Sequence, residues 1–336
     1  MLELLCKLCQ IPAVSGNEGA LRDFIINEIR GFAEYETDQN GNLICFKKGK
    51  KPAAKKVMVD AHMDEVGIIA SYIGENGLIK FQTVGGIDTA VMLARKVVFE
   101  NGTVGVVGMK PVHMLSSDEK KTMPRADSLY IDIGATSKAE AEEKVSVGDT
   151  AVFYCEPTDM GENLLARGID DRASVAVLIS LLKRDAEYDF YATFTTGEEV
   201  GLRGAKTAAF TLSPDAAVIL EATTAADLYG VANDKKVCCL GLGPAISFMD
   251  RSTLYDRQLF DFANSLPLRH QVKEYVSGGN NAGAVHLSKG GVPTITVSLP
   301  TRYIHSPSCV ANKRDLSDMF AFSERLIVAL ASGEAL

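Results

Sequence analysis

The stretch Lys56-Val-Met-Val-Asp-Ala-His-Met-Asp-Glu-Val-Gly67 (KVMVDAHMDEVG) decides the fold. Its first half, Lys56 to Asp60, has the apolar, β-prone centre Val57-Met58-Val59 and reads as a buried strand. It runs straight into Ala61-His62-Met63-Asp64-Glu65, so an imidazole and carboxylates stand at a strand's C-terminal end. In an α/β sheet that is the position from which side chains converge on a ligand.

Working outward, the rhythm on either side is that of one α/β domain. Upstream, Ser15-Gly-Asn-Glu18 has the form of a capping box, opening a helix with Leu21, Phe24, Ile25 and Ile29 at helical spacing. Extended chain follows around Asn42 to Phe46. Downstream, from Gly67 to Pro157, short β-prone runs alternate with glycine-bearing turns, the pattern of a small barrel or sandwich. One short helix interrupts them, with Ser137 and Glu140 as its capping box. From Gly168 helices and strands alternate again. A helix follows Asp170-Asp171, then come the strand Tyr191–Thr195, a helix near Ala205–Phe210 and the strand Ala217–Leu220. A helix over Leu254–Leu266, a strand at Val272–Val276, a helix over Ala282–Leu287 and the strand Thr294–Ser298 precede a closing helix, Leu316–Ala331. Such alternation implies a sheet covered on both faces. The reading is a discontinuous α/β domain, residues 1–66 and 164–336, split by a β-rich insertion at 67–163.

Composition removes several classes. The chain has 336 residues, with 46% hydrophobic and 23% charged, and a formal charge of −8 from 35 Lys+Arg against 43 Asp+Glu. These are ordinary globular values. The apolar runs are too short to span a membrane, and a net negative chain lacks the basic face that nucleic acid requires. The N-terminus MLELLCKLCQIP shows no signal-peptide pattern. Seven cysteines without framework spacing read as reduced thiols, so a cytoplasmic location is expected.

Further strand ends carry the chemistry. Glu198-Glu199 follows Thr193–Thr196 directly, Glu221 ends Val218–Leu220, and His305 lies shortly after Val297–Leu299. Taken alone, an Asp before a helix is a cap and a Glu pair is a solvated face. Together, adjacent like charges beside glycines, plus two imidazoles, call for a cation.

These segments resemble a known family. Val59-Asp-Ala-His62-Met-Asp64-Glu-Val-Gly67, Gly168-Ile-Asp170-Asp171-Arg172, Thr196-Gly-Glu198-Glu199-Val-Gly201 and Arg302-Tyr-Ile-His305-Ser-Pro307 are similar, in order, to the motifs of the M42 metallo-aminopeptidases. That family includes glutamyl and deblocking aminopeptidases, and some members carry the name endoglucanase M. The resemblance spans the chain. It implies a mixed-sheet α/β/α dinuclear-metallopeptidase domain with an inserted β-barrel-like assembly domain. It implies hydrolysis of N-terminal residues from peptides and two divalent ions per subunit, zinc or cobalt, with manganese admitted. By resemblance the metal ligands are His62, Asp170 as the bridge, Glu199, Glu221 and His305. Glu198 is the base that activates a metal-bridged water, Asp64 orients His62, and Asp171 orients the backbone. The resemblance also implies a homo-oligomer, a hollow dodecamer built of dimers.

Glu221, in Leu220-Glu-Ala-Thr-Thr224, departs from the family's usual Asp and is one methylene longer. It prompts an alternative reading, a non-catalytic assembly protein with a relic site. A glycoside hydrolase is the other alternative, prompted by the endoglucanase name. A chain with no Trp and 7% aromatic residues lacks the platforms of a glycan groove. Asp227 reads as a structural or supporting carboxylate, and Gly278-Gly279-Asn280-Asn281 as a turn and helix cap at the border of the site.

Overall fold

The computed structural model describes residues 1–336. Its centre is a mixed sheet whose strands run, edge to edge, Glu34–Thr37, Leu43–Lys47, Phe190–Thr195, Val57–His62, Ala216–Thr224, Thr294–Arg302, Cys309–Asn312, Asn163–Ala166 and Thr158–Met160. The four from Phe190–Thr195 to Thr294–Arg302 are mutually parallel, and the outer ones antiparallel. All four parallel C-terminal ends therefore open on one edge.

Side-chain alternation along the strands builds two cores, because successive residues face opposite sides. Val57, Val59 and Ala61 face a 48-residue apolar cluster with the helices Leu2–Leu8, Gly19–Ile29, Ile169–Lys183 and Lys313–Ser332. Met58, Ala217 and Ile219 face a ten-residue cluster with Arg203–Leu212 and Ala282–Val285. This is the α/β/α sandwich expected. Ile169–Lys183 is buried along almost its whole length, so its N-terminus is rigidly placed against the strand ends.

The insertion closes into a six-stranded antiparallel barrel from Gly67–Ile73, Ile79–Val84, Tyr130–Asp132, Val104–Gly108, Lys96–Phe99 and Thr150–Phe153. Its own core holds Ile68, Phe81, Val97, Phe99, Ile131 and Phe153. Strand Thr158–Met160, inside the span 67–163, hydrogen-bonds in the large sheet instead.

Three local expectations change. Ser15 does not cap the first long helix, whose N-cap Glu18 makes no side-chain capping bond; the Ser15 hydroxyl has a partner elsewhere. The expected strand Val272–Val276 shrinks to Gln271–Val272, and the helix Ala282–Leu287 to Ala282–Val285. The intervening chain leaves the sheet to wall a cavity. No helix is long and apolar enough to cross a membrane, and all seven cysteines are free.

Candidate metal centre

Four strand ends and one helix start supply the site. His62 ends Val57–His62, Glu221 lies within Ala216–Thr224, and Glu198-Glu199 follows Phe190–Thr195. His305 sits in the turn after Thr294–Arg302 with φ 58°. A non-glycine residue in the left-handed region carries a local cost, commonly found where a function fixes the backbone. Asp170 opens the helix Ile169–Lys183 behind Gly168, whose φ of 61° suits glycine. The Asp170–Asp171 peptide is cis.

Both imidazoles are set up in the same way. His62 Nδ1 lies 3.0 Å from the Asp64 carbonyl oxygen, and His305 Nδ1 lies 2.9 Å from that of Gly86. A carbonyl only accepts, so Nδ1 is the donor in each ring. In the neutral imidazole, Nε2 is then a lone pair. His62 Nε2 is 3.2 Å from Asp170 Oδ1 and 3.3 Å from Glu221 Oε1. His305 Nε2 is 3.2 Å from Asp170 Oδ2 and 3.3 Å from Glu199 Oε1. Asp170 thus offers one oxygen to each imidazole, and each imidazole has its own glutamate.

The spacing fits a divalent ion better than a proton. Two donors about 2.0–2.1 Å from one tetrahedral ion stand ~3.3–3.4 Å apart. A protonated imidazole on a carboxylate closes to about 2.7–2.9 Å. Of the four contacts, only His62–Asp170 is aligned as a hydrogen bond. Glu199 Oε1 and Glu221 Oε2 are buried without any hydrogen-bond partner. Ligand atoms of His62, Asp171 and Glu221 lie within 4.8 Å of one another, as do those of His62, Asp170 and Glu199. The second grouping crosses between the two imidazole sets, which shows how close together they are. At 3.3 Å from His305 Nε2, Glu199 Oε1 belongs with His305.

Charge tells the same story. Asp170, Asp171, Glu198, Glu199 and Glu221 crowd round two imidazoles. Burial pushes the Glu221 carboxyl up to about 7 and raises Glu198 well above the usual carboxylate range. Burial also opposes charge on His305, but Asp170 and Glu199 outweigh it and lift the imidazole to about 11. Asp170 is held low despite burial by the imidazoles on its two oxygens. Protonation substitutes for missing positive charge, and bound cations would supply it instead.

Supporting groups hold this geometry. The carboxylate of Asp64, wholly buried, accepts the backbone N–H of Glu198 (3.0 Å), the N–H of Glu199 (3.1 Å) and the Ser15 hydroxyl (2.6 Å). Asp64 meets His62 Nδ1 twice, through its carbonyl oxygen at 3.0 Å and its carboxylate at 3.4 Å. Asp171 Oδ2 accepts the His62 backbone N–H at 3.2 Å. Asp227 forms a bidentate pair with Arg302, both bonds 2.7 Å, at the root of the turn that carries His305.

Sequence reasoning gave no role to Glu65, Arg167 or Arg172. Glu65 Oε1 accepts from Arg167 (2.9 Å) and Arg172 (3.0 Å), and Arg172 also donates to the Met63 carbonyl. This buried cluster ties the His62–Glu65 segment to the helix bearing Asp170. Arg172 is among the most deeply buried side chains of the molecule. Charges three residues past a helix start signal nothing of this alone.

The site opens into a cavity of about 480 Å³ walled by Glu198, Glu199, Glu221, Thr223, Lys273 and the Ser277–Asn280 loop, among others. A larger cleft of about 780 Å³, at Lys50, Leu181, Phe190 and Arg325, lies near the start of the strand Phe190–Thr195, away from this cluster.

A sequence profile described as M42 glutamyl aminopeptidase matches residues 41–322. A putative aminopeptidase of Acetivibrio thermocellus is 38% identical, over 95% of this chain and 96% of that protein. Lysyl aminopeptidase of Pyrococcus furiosus is 31% identical, over 98% and 97%. Among solved structures, the Pyrococcus horikoshii TET1 peptidase, which can assemble into a tetrahedron or a large octahedral shell, superposes with a TM-score of 0.83. It is 34% identical, over 98% of this chain and 99% of that one. Matching motifs, fold and site thus agree, and the chain belongs to the M42 aminopeptidase family, hydrolases of the peptide bond.

Proposed function

We propose that this chain is a dinuclear metal-dependent aminopeptidase that removes N-terminal residues from peptides. One observation carries the reading: the two oxygens of Asp170 face two imidazoles, each paired with a different glutamate. His62, Asp170 and Glu221 would hold one ion, and His305, Asp170 and Glu199 the other. The donors are all nitrogen and oxygen, which zinc, cobalt and manganese accept. Glu221 reaches the His62 set despite its extra methylene, which supports a working ligand rather than a relic. Two such ions, when bound, supply Lewis acidity to the scissile carbonyl and lower the pKa of the attacking water.

The chain's own residues do the rest. Asp64 fixes the backbone of the Glu198-Glu199 turn from both N–H groups. Glu198 lines the cavity beside the ligands, and burial gives it a strong appetite for a proton. It takes one proton from the attacking water at a side-chain oxygen and passes it to the departing amide nitrogen. The surplus of carboxylate in the cavity favours a substrate's free α-ammonium, hence exopeptidase action.

Self-assembly belongs to the same proposal. The inserted segment exposes Val112, Met114 and Met123, and the barrel exposes Tyr72, Val104 and Val106. Apolar groups in such number suit a homo-oligomer that assembles through residues 67–163, and a related peptidase forms shells. Sedimentation at micromolar concentration is expected to show an oligomer; a monomer there would contradict it. For the activity, a peptide with a free N-terminus should lose its first residue in the presence of zinc or cobalt. Its N-acetylated twin should not. Equal cleavage of both, or cleavage in excess chelator, would overturn the reading.

A further inference from the structure

The two imidazoles of the metal centre are oriented from different parts of the fold. His62 Nδ1 finds its acceptor two positions away, in the Asp64 carbonyl at 3.0 Å, within the same buried segment. His305 Nδ1 finds its acceptor 219 positions away, in the Gly86 carbonyl at 2.9 Å. Gly86 belongs to the inserted barrel and follows its strand Ile79–Val84. One ligand is thus set by the α/β domain itself, and the other by the insertion.

The difference matters because His305 has little else to hold it. Its side chain is 35% exposed, against 1% for His62. Beyond the carboxylates of the metal set, the Gly86 carbonyl is the one partner of its ring. An acceptor on Nδ1 fixes the tautomer and the ring plane, and it makes Nε2 a better donor to a metal.

The same barrel turn lies against the glutamate of that set. Gly85 has a φ of 80°, and a Cβ there would stand 2.7 Å from Val66 Cγ1 and 3.3 Å from Glu199 Cβ. Glycine is what lets the turn come this near. The Gly85-Gly86 turn therefore meets both ligands that the two ions do not share on this side, His305 through a carbonyl and Glu199 through close packing.

Few polar contacts fasten the barrel. It has a separate apolar core. Neighbours at its chain links aside, residues 67–154 reach the rest of the molecule through two hydrogen bonds. One runs from Asn17 Nδ2 to Thr150 Oγ1 at 2.9 Å, and the other is that of His305 to Gly86.

We infer that the Gly85-Gly86 turn is the positioning element of the ion held by His305 and Glu199, and that this ion, unlike its neighbour, binds at full strength only with the barrel seated. The inference rests on the two-ion reading of the site and deepens it. Loss of a group that orients a metal ligand costs about 10- to 100-fold in metal affinity. By linkage, whatever seats the barrel tightens this ion, and the ion in turn seats the barrel.

The test titrates metal-free protein with zinc against a chelator of known affinity, so each ion's Kd is read without turnover. The parent should bind two ions. Gly85→Ala strains a left-handed position and crowds Glu199; it should weaken one ion by about 10-fold or more and leave the other within about twofold. Anomalous diffraction at limiting zinc should show the missing peak to be the one between His305 and Glu199. Gly86→Ala is the control, because it keeps the carbonyl and its Cβ would stand 3.6 Å from His305 Nδ1, an ordinary contact. Both of its affinities should match the parent's. An equal fall of both ions in Gly85→Ala would show general damage to the fold and overturn the inference. Loss of the His62–Glu221 ion instead would overturn it too, as would a loss in Gly86→Ala as large as in Gly85→Ala. Should Gly85→Ala fail to fold, Thr150→Val decides: it removes the other fastening, the Asn17 bond, and valine suits a strand. It must weaken the same ion selectively, by about twofold or more; unchanged affinities would refute the inference. A parent with two ions whose affinities Gly85→Ala leaves alone refutes the role of this turn and nothing more. A parent that binds a single ion overturns the dinuclear reading itself.

Discussion

Asp64→Asn is the perturbation from which the most follows. The parent carboxylate accepts two backbone N–H groups, from Glu198 and Glu199, and one hydroxyl, from Ser15. Asparagine keeps one oxygen and presents an NH2 at the other. Whichever way the amide turns, one N–H or the hydroxyl faces a donor in a fully buried place. The variant forfeits one charge-assisted bond, worth about 1.5–3 kcal/mol, and weakens the others, so a net loss of about 2–4 kcal/mol is expected. That is a large share of a typical stability of roughly 5–15 kcal/mol. Urea unfolding of chelated protein reads it without the contribution of bound ions. Catalysis should fall as well, because the Glu198-Glu199 turn loses its anchor, and a misplacement of about 1 Å can cost 10²-fold. A variant within 0.5 kcal/mol of the parent and within about twofold in kcat/KM would refute the assigned role of Asp64.

Glu198→Gln should keep its ions by elemental analysis and lose about 10²- to 10⁴-fold in kcat, the usual range for a general base; undiminished turnover would exclude Glu198 from proton transfer. Chelation should abolish peptidase activity and lower Tm, with both restored by added zinc or cobalt in a concentration-dependent way, whereas an unchanged Tm would argue against a structured ion site. Asp227 titrates below the ordinary carboxylate value, because Arg302 outweighs the effect of its burial. With its folded pKa depressed, its contribution is full above about pH 4 and is lost as pH falls towards the folded value. Asp227→Asn should therefore flatten the fall in Tm on the acid side of that pH, and a slope identical to the parent's would contradict the pairing.

The parts legible in the sequence were those with short-range signals. The strand Val57–His62 announces itself by the apolar run Val57–Val59, and its placement of His62 at a strand end follows at once. The closing helix and the barrel likewise follow from periodicity and glycine-bearing turns. What stayed hidden depends on partners far along the chain. Ser15 sits in a good capping pattern, yet its hydroxyl goes to Asp64, 49 positions away, because a buried carboxylate outcompetes a helix end open to water. Glu65 and Arg172 lie 107 positions apart, and neither shows in its own segment that it will be buried. The chain from Gln271 to Val285 has local propensity for a longer strand and helix. It forms neither at full length, since its backbone spends bonds on the cavity wall, with Arg251 N–H on the Gly278 carbonyl and Lys273 on Ser277. Which glutamate faces which imidazole is also beyond sequence: the strands that lead to Glu199 and His305 are separated by two others, and the two side chains meet only because the segments after those strands converge over the sheet's edge.

Anomalous diffraction from crystals of the zinc- or cobalt-loaded protein tests the central claim most directly. The account predicts two peaks per chain that share Asp170, one bounded by His62 and Glu221 and the other by His305 and Glu199. A single peak, or two that do not share Asp170, would contradict it.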